Sequence, residues 1–239
     1  MNANRLVKCV KAFGICLFVT AHFFASAQQP SSQTVVPVEQ ASFHQLVFAD
    51  EDVSILNNLY PPGGDSGFHA HSRDMFYVVV QGSQSSIQKL GQPLTTGPII
   101  PTGTANYGAV GTGVIHRVVN GDKSAFQIIV VQLLRNEPSG KAVSSRDAVP
   151  QYVQILDNPR VRAWRLILKP GQTVPAISQA SKGVRVVVHG GLLTTIRSGS
   201  QPQILVLRPG EFAVQPAGET RALKNSGKET IELVEMEIK

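Results

Sequence analysis

The chain has 239 residues, of which 42% are hydrophobic and only 16% charged, against about 25% charged in an average soluble domain. It therefore has apolar material for a sizeable core, and intrinsic disorder is excluded for its bulk. The formal charge of +6 includes Arg5, Lys8 and Lys11 near the N-terminus, and neither a Lys/Arg run nor a basic helix with spaced aromatics follows, so nucleic acid is not an expected partner.

In chain order, the first element is a secretory signal. Met1 to Lys11 is short and positive, Ala12 to Phe24 is apolar, and Ala25-Ser26-Ala27 is a small-residue cleavage site, so residues 1–27 are predicted to be removed before Gln28. Thirteen apolar residues interrupted by His22 fall short of the roughly 20 that span a bilayer, and no stable membrane span is expected after cleavage. A periplasmic or secreted location follows. Cys9 and Cys16, the chain's two cysteines, both lie in this segment, so the mature protein is expected to have no disulfide, thiolate site or cysteine nucleophile.

Residues 28–41 are rich in Gln, Ser and Pro and read as a flexible lead-in; residues 136–150 read as a polar linker. They delimit two units, 42–135 and 151–239. Within these, short Val/Ile-rich runs recur at Phe76 to Val80, Ala125 to Leu134, Val161 to Leu168, Val184 to Val188, Ile204 to Leu207 and Ile231 to Ile238, punctuated by Gly and Pro. The runs are mostly too short for helices, and an all-β sandwich or jelly roll is predicted. The two units are copies. Pro62-Gly63 and Pro170-Gly171 are each followed, 19 residues after the Gly, by the Gly that closes Val78-Val79-Val80-Gln81-Gly82 or Val186-Val187-Val188-His189-Gly190. Gly113 precedes Asn120 by seven residues, as Gly218 precedes Asn225.

The chemistry concentrates in the first copy. Side chains at i and i+2 of a strand share a face about 6–7 Å apart, so His69 and His71 converge, and His116 on an apposed antiparallel strand supplies a third nitrogen. Three neutral imidazoles suit zinc, iron, copper or nickel and leave coordination positions for water, dioxygen or a bidentate ligand. His44 and His189 have no partners by spacing and read as structural. The glycine-rich stretch Gly103 to Gly113 lacks the Gly-Lys-Ser/Thr ending of a phosphate loop and reads as a turn.

Gly63, His69-Ala70-His71 and Gly82 resemble the first motif of the cupin superfamily, Gly-x5-His-x-His-x3or4-Glu-x6-Gly, and Gly113 to Asn120 resembles the second, Pro-x-Gly-x2-His-x3-Asn. Met75 stands where the family has its carboxylate ligand, and Gly111 where it has proline. The second copy has Ile177, Gln179, Gly183 and Arg221 at the ligand positions but keeps Gly171, Gly190, Pro216, Gly218 and Asn225. The resemblance covers residues 42–239 and implies two tandem double-stranded β-helix units, each a jelly-roll barrel, the second degenerate. It further implies one divalent transition metal (iron, zinc, manganese, copper or nickel) on His69, His71 and His116, with Met75, Tyr77 and Tyr107 as pocket candidates. Tyr77 shares strand parity with Met75, while Tyr107, Phe68 and Arg117 are candidates by proximity. Three functions compete: a metal-dependent dioxygenase, isomerase or lyase acting on a small anionic or enol-like substrate, a non-catalytic module binding a small molecule or metal, and a structural or partner-binding duplicate.

Overall fold

The valine runs that mark both copies are strands apolar on both faces, and this decides how the molecule is assembled. In the computed structural model, which describes residues 33–138, 143, 144, 146 and 148–239, the chain is built of β-strands with one short 3-10 turn, Val38–Gln40, and no α-helix among the described residues. The predicted signal segment, residues 1–27, lies outside the described residues.

The first half contains β1 (Val35–Pro37), β2 (His44–Ala49), β3 (Val53–Tyr60), β4 (Phe68–His71), β5 (Met75–Gln81), β6 (Ser83–Lys89), β7 (Thr95–Ile100), β8 (Ala105–Gly108), β9 (Val114–Asn120) and β10 (Phe126–Leu133). The second contains β11 (Tyr152–Asp157), β12 (Val161–Leu168), β13 (Thr173–Ser178), β14 (Gly183–His189), β15 (Gly191–Arg197), β16 (Gln203–Leu207), β17 (Phe212–Gln215), β18 (Thr220–Asn225) and β19 (Ile231–Ile238). Each half makes two sheets: β1-β4-β9-β6-β7 and β2-β3-β10-β5-β8 in the first, β13-β18-β15-β16 and β11-β12-β19-β14-β17 in the second. This is an all-β, jelly-roll architecture present twice.

The sequence landmarks of the repeat do the same structural work in both halves. The Gly63 and Gly171 amides each donate to the carbonyl of the matching asparagine, Asn120 or Asn225, at 3.0 Å. Both asparagines are buried, and their Nδ2 groups tie down carbonyls of neighbouring segments: Tyr60 and Ser124 in the first half, Leu168 and Glu229 in the second. Gly82 and Gly190 are required by close approach. A Cβ at Gly82 would stand 2.3 Å from the Ile100 carbonyl oxygen, and one at Gly190 2.1 Å from that of Leu207.

Strand alternation divides each valine run between two cores. Phe76, Val78 and Val80 of β5 face Val184, Val186 and Val188 of β14, and with residues of β3, β10, β12 and β19 they form one core shared by the halves. Fully burying such a side chain contributes about 1.5–3 kcal/mol, so this shared layer accounts for much of what joins the halves. The alternate residues point inward: Val79 into the first barrel and Val187 into the second, against Trp164, Leu193 and Leu233.

Two expectations require correction. In the lead-in assigned to residues 28–41, of which 28–32 lie outside the described residues, Val35–Pro37 forms β1 parallel to β4, pairing Val36 with His69, and Val38 is buried against Leu56 and Val130. Its apolar Val35-Val36-Pro37-Val38 sequence and the free edge of β4 supply the reason. In the segment read as a linker, residues 136–150, Ser144 and Arg146 are buried inside the second half, held by the carboxylate of Glu237.

Candidate metal centre

β4 carries both His69 and His71 on its inward face, and its antiparallel partner β9 places His116 directly opposite His69. The three residues have ligand nitrogens that all lie within 4.8 Å of one another, and His71 Nε2 is 3.1 Å from His116 Nε2. His69 Nδ1 is 3.1 Å from the Gly67 carbonyl. A carbonyl can only accept, so Nδ1 carries the proton and Nε2 keeps its lone pair toward the other rings. His69 Nε2 is buried without a partner among the described residues.

Burial keeps these rings uncharged. Desolvation first, and the neighbouring imidazoles second, hold His71 at about 3 and His116 at about 4; His69 is also lowered by burial. Three neutral imidazoles gathered in a mostly buried place, with His69 Nε2 and His71 Nδ1 lacking a partner among the described residues, fit a transition metal ion, which uses lone pairs that no protein donor reaches. His69 Nδ1 is already fixed by a backbone carbonyl, as metal-ligating imidazoles require of their second nitrogen.

The imidazoles form one wall of a cavity of about 230 Å³ inside the first barrel. Its remaining lining is mainly apolar, with Met75, Tyr77, Val79, Ile87, Phe126 and Val130 among the residues. Met75 and Tyr77 reach it because they alternate with Phe76, which faces the shared core. Met75 also packs against Gly108, its register partner on β8. Tyr107 is a correction. It alternates with Gly108, turns away from the cavity, packs on the shared core and donates its hydroxyl to Asp74 at 2.5 Å. Phe68 and Arg117 also sit outside the cavity lining, with the guanidinium stacked over the Phe68 ring at 5.5 Å.

His44, read from the sequence as structural, belongs to the site. Its ring lies 4.6 Å from that of His69, centroid to centroid, and lines the same cavity. Nδ1 donates to the Ser42 carbonyl at 2.9 Å, leaving Nε2 to accept from the Tyr60 hydroxyl at 3.2 Å. Burial lowers His44 to about 4 and raises Tyr60. No motif spacing signals His44, since β2 meets the site only by pairing with β3. His189 lies far from these rings in the sequence and at the surface, its Nδ1 3.0 Å from Glu232.

In the second half β13 and β18 repeat the register of β4 and β9, pairing Ile177 with Arg221 where His69 pairs with His116. Gln179 takes the place of His71 and Gly183 that of Met75. Among the described residues no cluster of metal-ligating groups forms there.

No protein-family model and no curated protein sequence matches the chain. Solved structures do. AerE from Microcystis aeruginosa matches at 12% identity over 83% of this chain and 98% of its own, with a TM-score of 0.60. A salicylate 1,2-dioxygenase from Pseudaminobacter salicylatoxidans matches at 12% identity over 78% of this chain and 71% of its own, with a TM-score of 0.55; it has also been solved as adducts with gentisate. A cupin 2 conserved barrel domain protein from Leptotrichia buccalis matches at 13% identity over 82% and 88%, with a TM-score of 0.50. The chain has the cupin fold, in duplicated form. One half carries a three-histidine cluster of the kind that suits a metal-binding cupin, and the other lacks it.

Proposed function

We propose that the protein is an exported, metal-dependent cupin whose first half holds one divalent transition metal through His69, His71 and His116 and receives a small anionic ligand in the adjoining apolar cavity. The single observation that carries this reading is the convergence of three uncharged imidazoles, two buried and one half-buried, with His69 Nε2 lacking any described hydrogen-bond partner. When bound, the metal supplies Lewis acidity toward an oxygen donor and, if iron or copper, redox chemistry. Three neutral imidazoles leave its double positive charge uncompensated, which favours carboxylates and enolates as ligands.

The chain's own residues define what such a ligand meets. Tyr77, Phe126 and Val130 exclude water and favour an apolar body, while the Tyr60 hydroxyl, bonded to His44 Nε2, offers a proton-bearing pair beside His69. The salicylate dioxygenase shares only the fold, so salicylate and gentisate are compounds to screen. A second reading, capture of ligand without turnover, is favoured by one specific feature: among the described residues the cavity lining contains no carboxylate to act as a general base. Export is supported by the character of residues 1–27.

Metal analysis after reconstitution tests the centre, with one equivalent per chain expected. In the cobalt-loaded protein, a change in visible absorption on adding salicylate or gentisate is expected if ligands enter beside the metal. Oxygen uptake by the iron-loaded protein separates turnover from capture. N-terminal sequencing from the native cell should find Gln28 or a residue close to it; an intact Met1 on protein inside the cytoplasm would end the export reading.

A further inference from the structure

The barrel interior of the second half is charged where the first is apolar. Arg146, Arg185 and Arg221 and the carboxylates of Glu235 and Glu237 are all buried there. Glu237 binds Arg146 at 2.7 Å, and Glu235 is shared between Arg146 at 3.3 Å and Arg221 at 3.6 Å. Tyr152 also donates to Glu235, and Arg146 stacks on the Trp164 ring at 4.0 Å. Among the described residues, two carboxylates therefore face three guanidinium groups, and Arg185 is the one left without an ion pair. It is only 6% exposed, and among the described residues it forms neither an ion pair nor a side-chain hydrogen bond. Its β19 register partner is Glu235, already committed to the other two arginines.

A guanidinium does not shed its proton at neutral pH, and an unpaired buried charge is costly. Arg185 borders a small cavity of about 50 Å³, which is also lined by Thr195, Arg197, Gln215, Glu219 and Arg221. The carboxylate in this lining, Glu219, is taken up by Arg197 and by Arg221. Thr195 is 2% exposed, and its hydroxyl oxygen has no partner among the described residues. Two unused donor groups, one charged and one neutral, thus border the same small cavity. This space is several times the roughly 10–15 Å³ that one water requires.

We propose that this cavity binds one small monovalent carboxylate, held by Arg185 and Arg221 and by the Thr195 hydroxyl. Among the described residues the excess of one positive charge sets the valence, and the planar fork of a guanidinium matches the two oxygens of a carboxylate. The size restricts the occupant to acids of one or two carbons. The second half is then a carboxylate site built on the scaffold of a metal site: Arg221 occupies the place of His116, and Arg185 that of Tyr77. This inference does not depend on metal in the first half.

Formate is the probe, titrated into the full mature chain freed of metal with a chelator, so that the first half's centre takes up no carboxylate, in a buffer whose sulfonate anion is too large for the cavity. Calorimetry should find one equivalent bound, and the melting temperature should rise with formate and saturate. Arg185→Met should weaken binding at least tenfold and melt no lower than wild type in the absence of formate, because it removes an uncompensated charge. Thr195→Val should weaken binding by a smaller factor, which keeps the test intact should Arg185→Met fail to fold. His116→Ala should bind formate as wild type does, separating this site from the metal centre. The proposal is overturned if wild type takes up no formate, if chloride binds equally well, if a soluble Arg185→Met retains formate affinity, or if its stability falls in formate-free buffer because Arg185 is already paired within the protein.

Discussion

The barrel interiors of the two halves are built at the same register positions from opposite materials. Across β5 and β10, Tyr77 faces Val130; across β14 and β19, Arg185 faces Glu235. The glycine turns, the buried asparagines and the shared core are common to both halves. What differs is a handful of inward side chains on strands of the same pairing. The fold dictates where a chemical group is presented, and the identity of the inward residues dictates what the group is. A cavity with a histidine wall and an apolar remainder can accept a ligand with an apolar body. A cavity filled by guanidinium and carboxylate groups admits little beyond a charge that balances it.

Breaking the charged half should have the largest effect on stability. Glu235→Gln leaves Arg146 and Arg221 short of a buried counter-charge and should cost about 3–5 kcal/mol in urea unfolding, whereas Val130→Ala, at the corresponding position in the first half, deletes only two methyl groups. Equal losses would mean that the network is better solvated than its burial indicates.

The next effect separates the halves by metal. His116→Ala should lower metal affinity by more than about 100-fold, or about 2.7 kcal/mol, removing stoichiometric metal after dialysis. Arg221→Ala should leave metal content unchanged while destabilising the fold. Two equivalents of metal in wild type would contradict the asymmetry.

A smaller, opposite effect is expected where the first half departs from the cupin motif. Met75→Glu places a carboxylate in the cavity that already holds the histidines and should tighten iron, manganese or zinc binding by about 10-fold, roughly 1.4 kcal/mol, while weakening capture of an anionic ligand. No change in either quantity would show that residue 75 does not reach the metal.

The smallest effect concerns the seam. Lys182 of the second half bridges Asp50 and Asp52 of the first, at 3.0 and 2.6 Å. The hydrogen bond from Lys182, and the Arg135 guanidinium beside it, hold the Asp52 carboxyl below its ordinary value of 3.8 despite partial burial. A depressed carboxyl stabilises the fold fully above its unfolded value and loses that contribution as pH falls through the folded one. Lys182→Met should therefore cost up to about 1 kcal/mol near neutral pH, with the difference from wild type shrinking below about pH 3.8. Urea midpoints at pH 7 and pH 3 measure it.

Much of this molecule was legible from neighbouring residues. The valine runs, the repeated glycine and asparagine landmarks, and the His-x-His pair each depend on strand alternation or on a turn that needs glycine, and these act over a few residues. Met75 and Tyr77 enter the cavity by the same alternation. Tyr107 illustrates the limit: nearness in sequence to the histidines did not decide its face, and alternation on β8 turned it toward Asp74.

The amino-acid sequence by itself determined that the chain folds as two copies of one β unit, that the first copy gathers three imidazoles, and that the second has lost them. Only the tertiary structure decided what else enters each barrel. His44 reaches His69 because β2 pairs with β3 at the cavity wall, and Arg146 leaves an apparent linker to meet Glu237, 91 residues away. The shared core exists because β5 and β14 present their outward valines to each other. Periodicity encodes which face a side chain takes, since that depends on adjacent backbone; which distant face it meets depends on how the sheets close and pack.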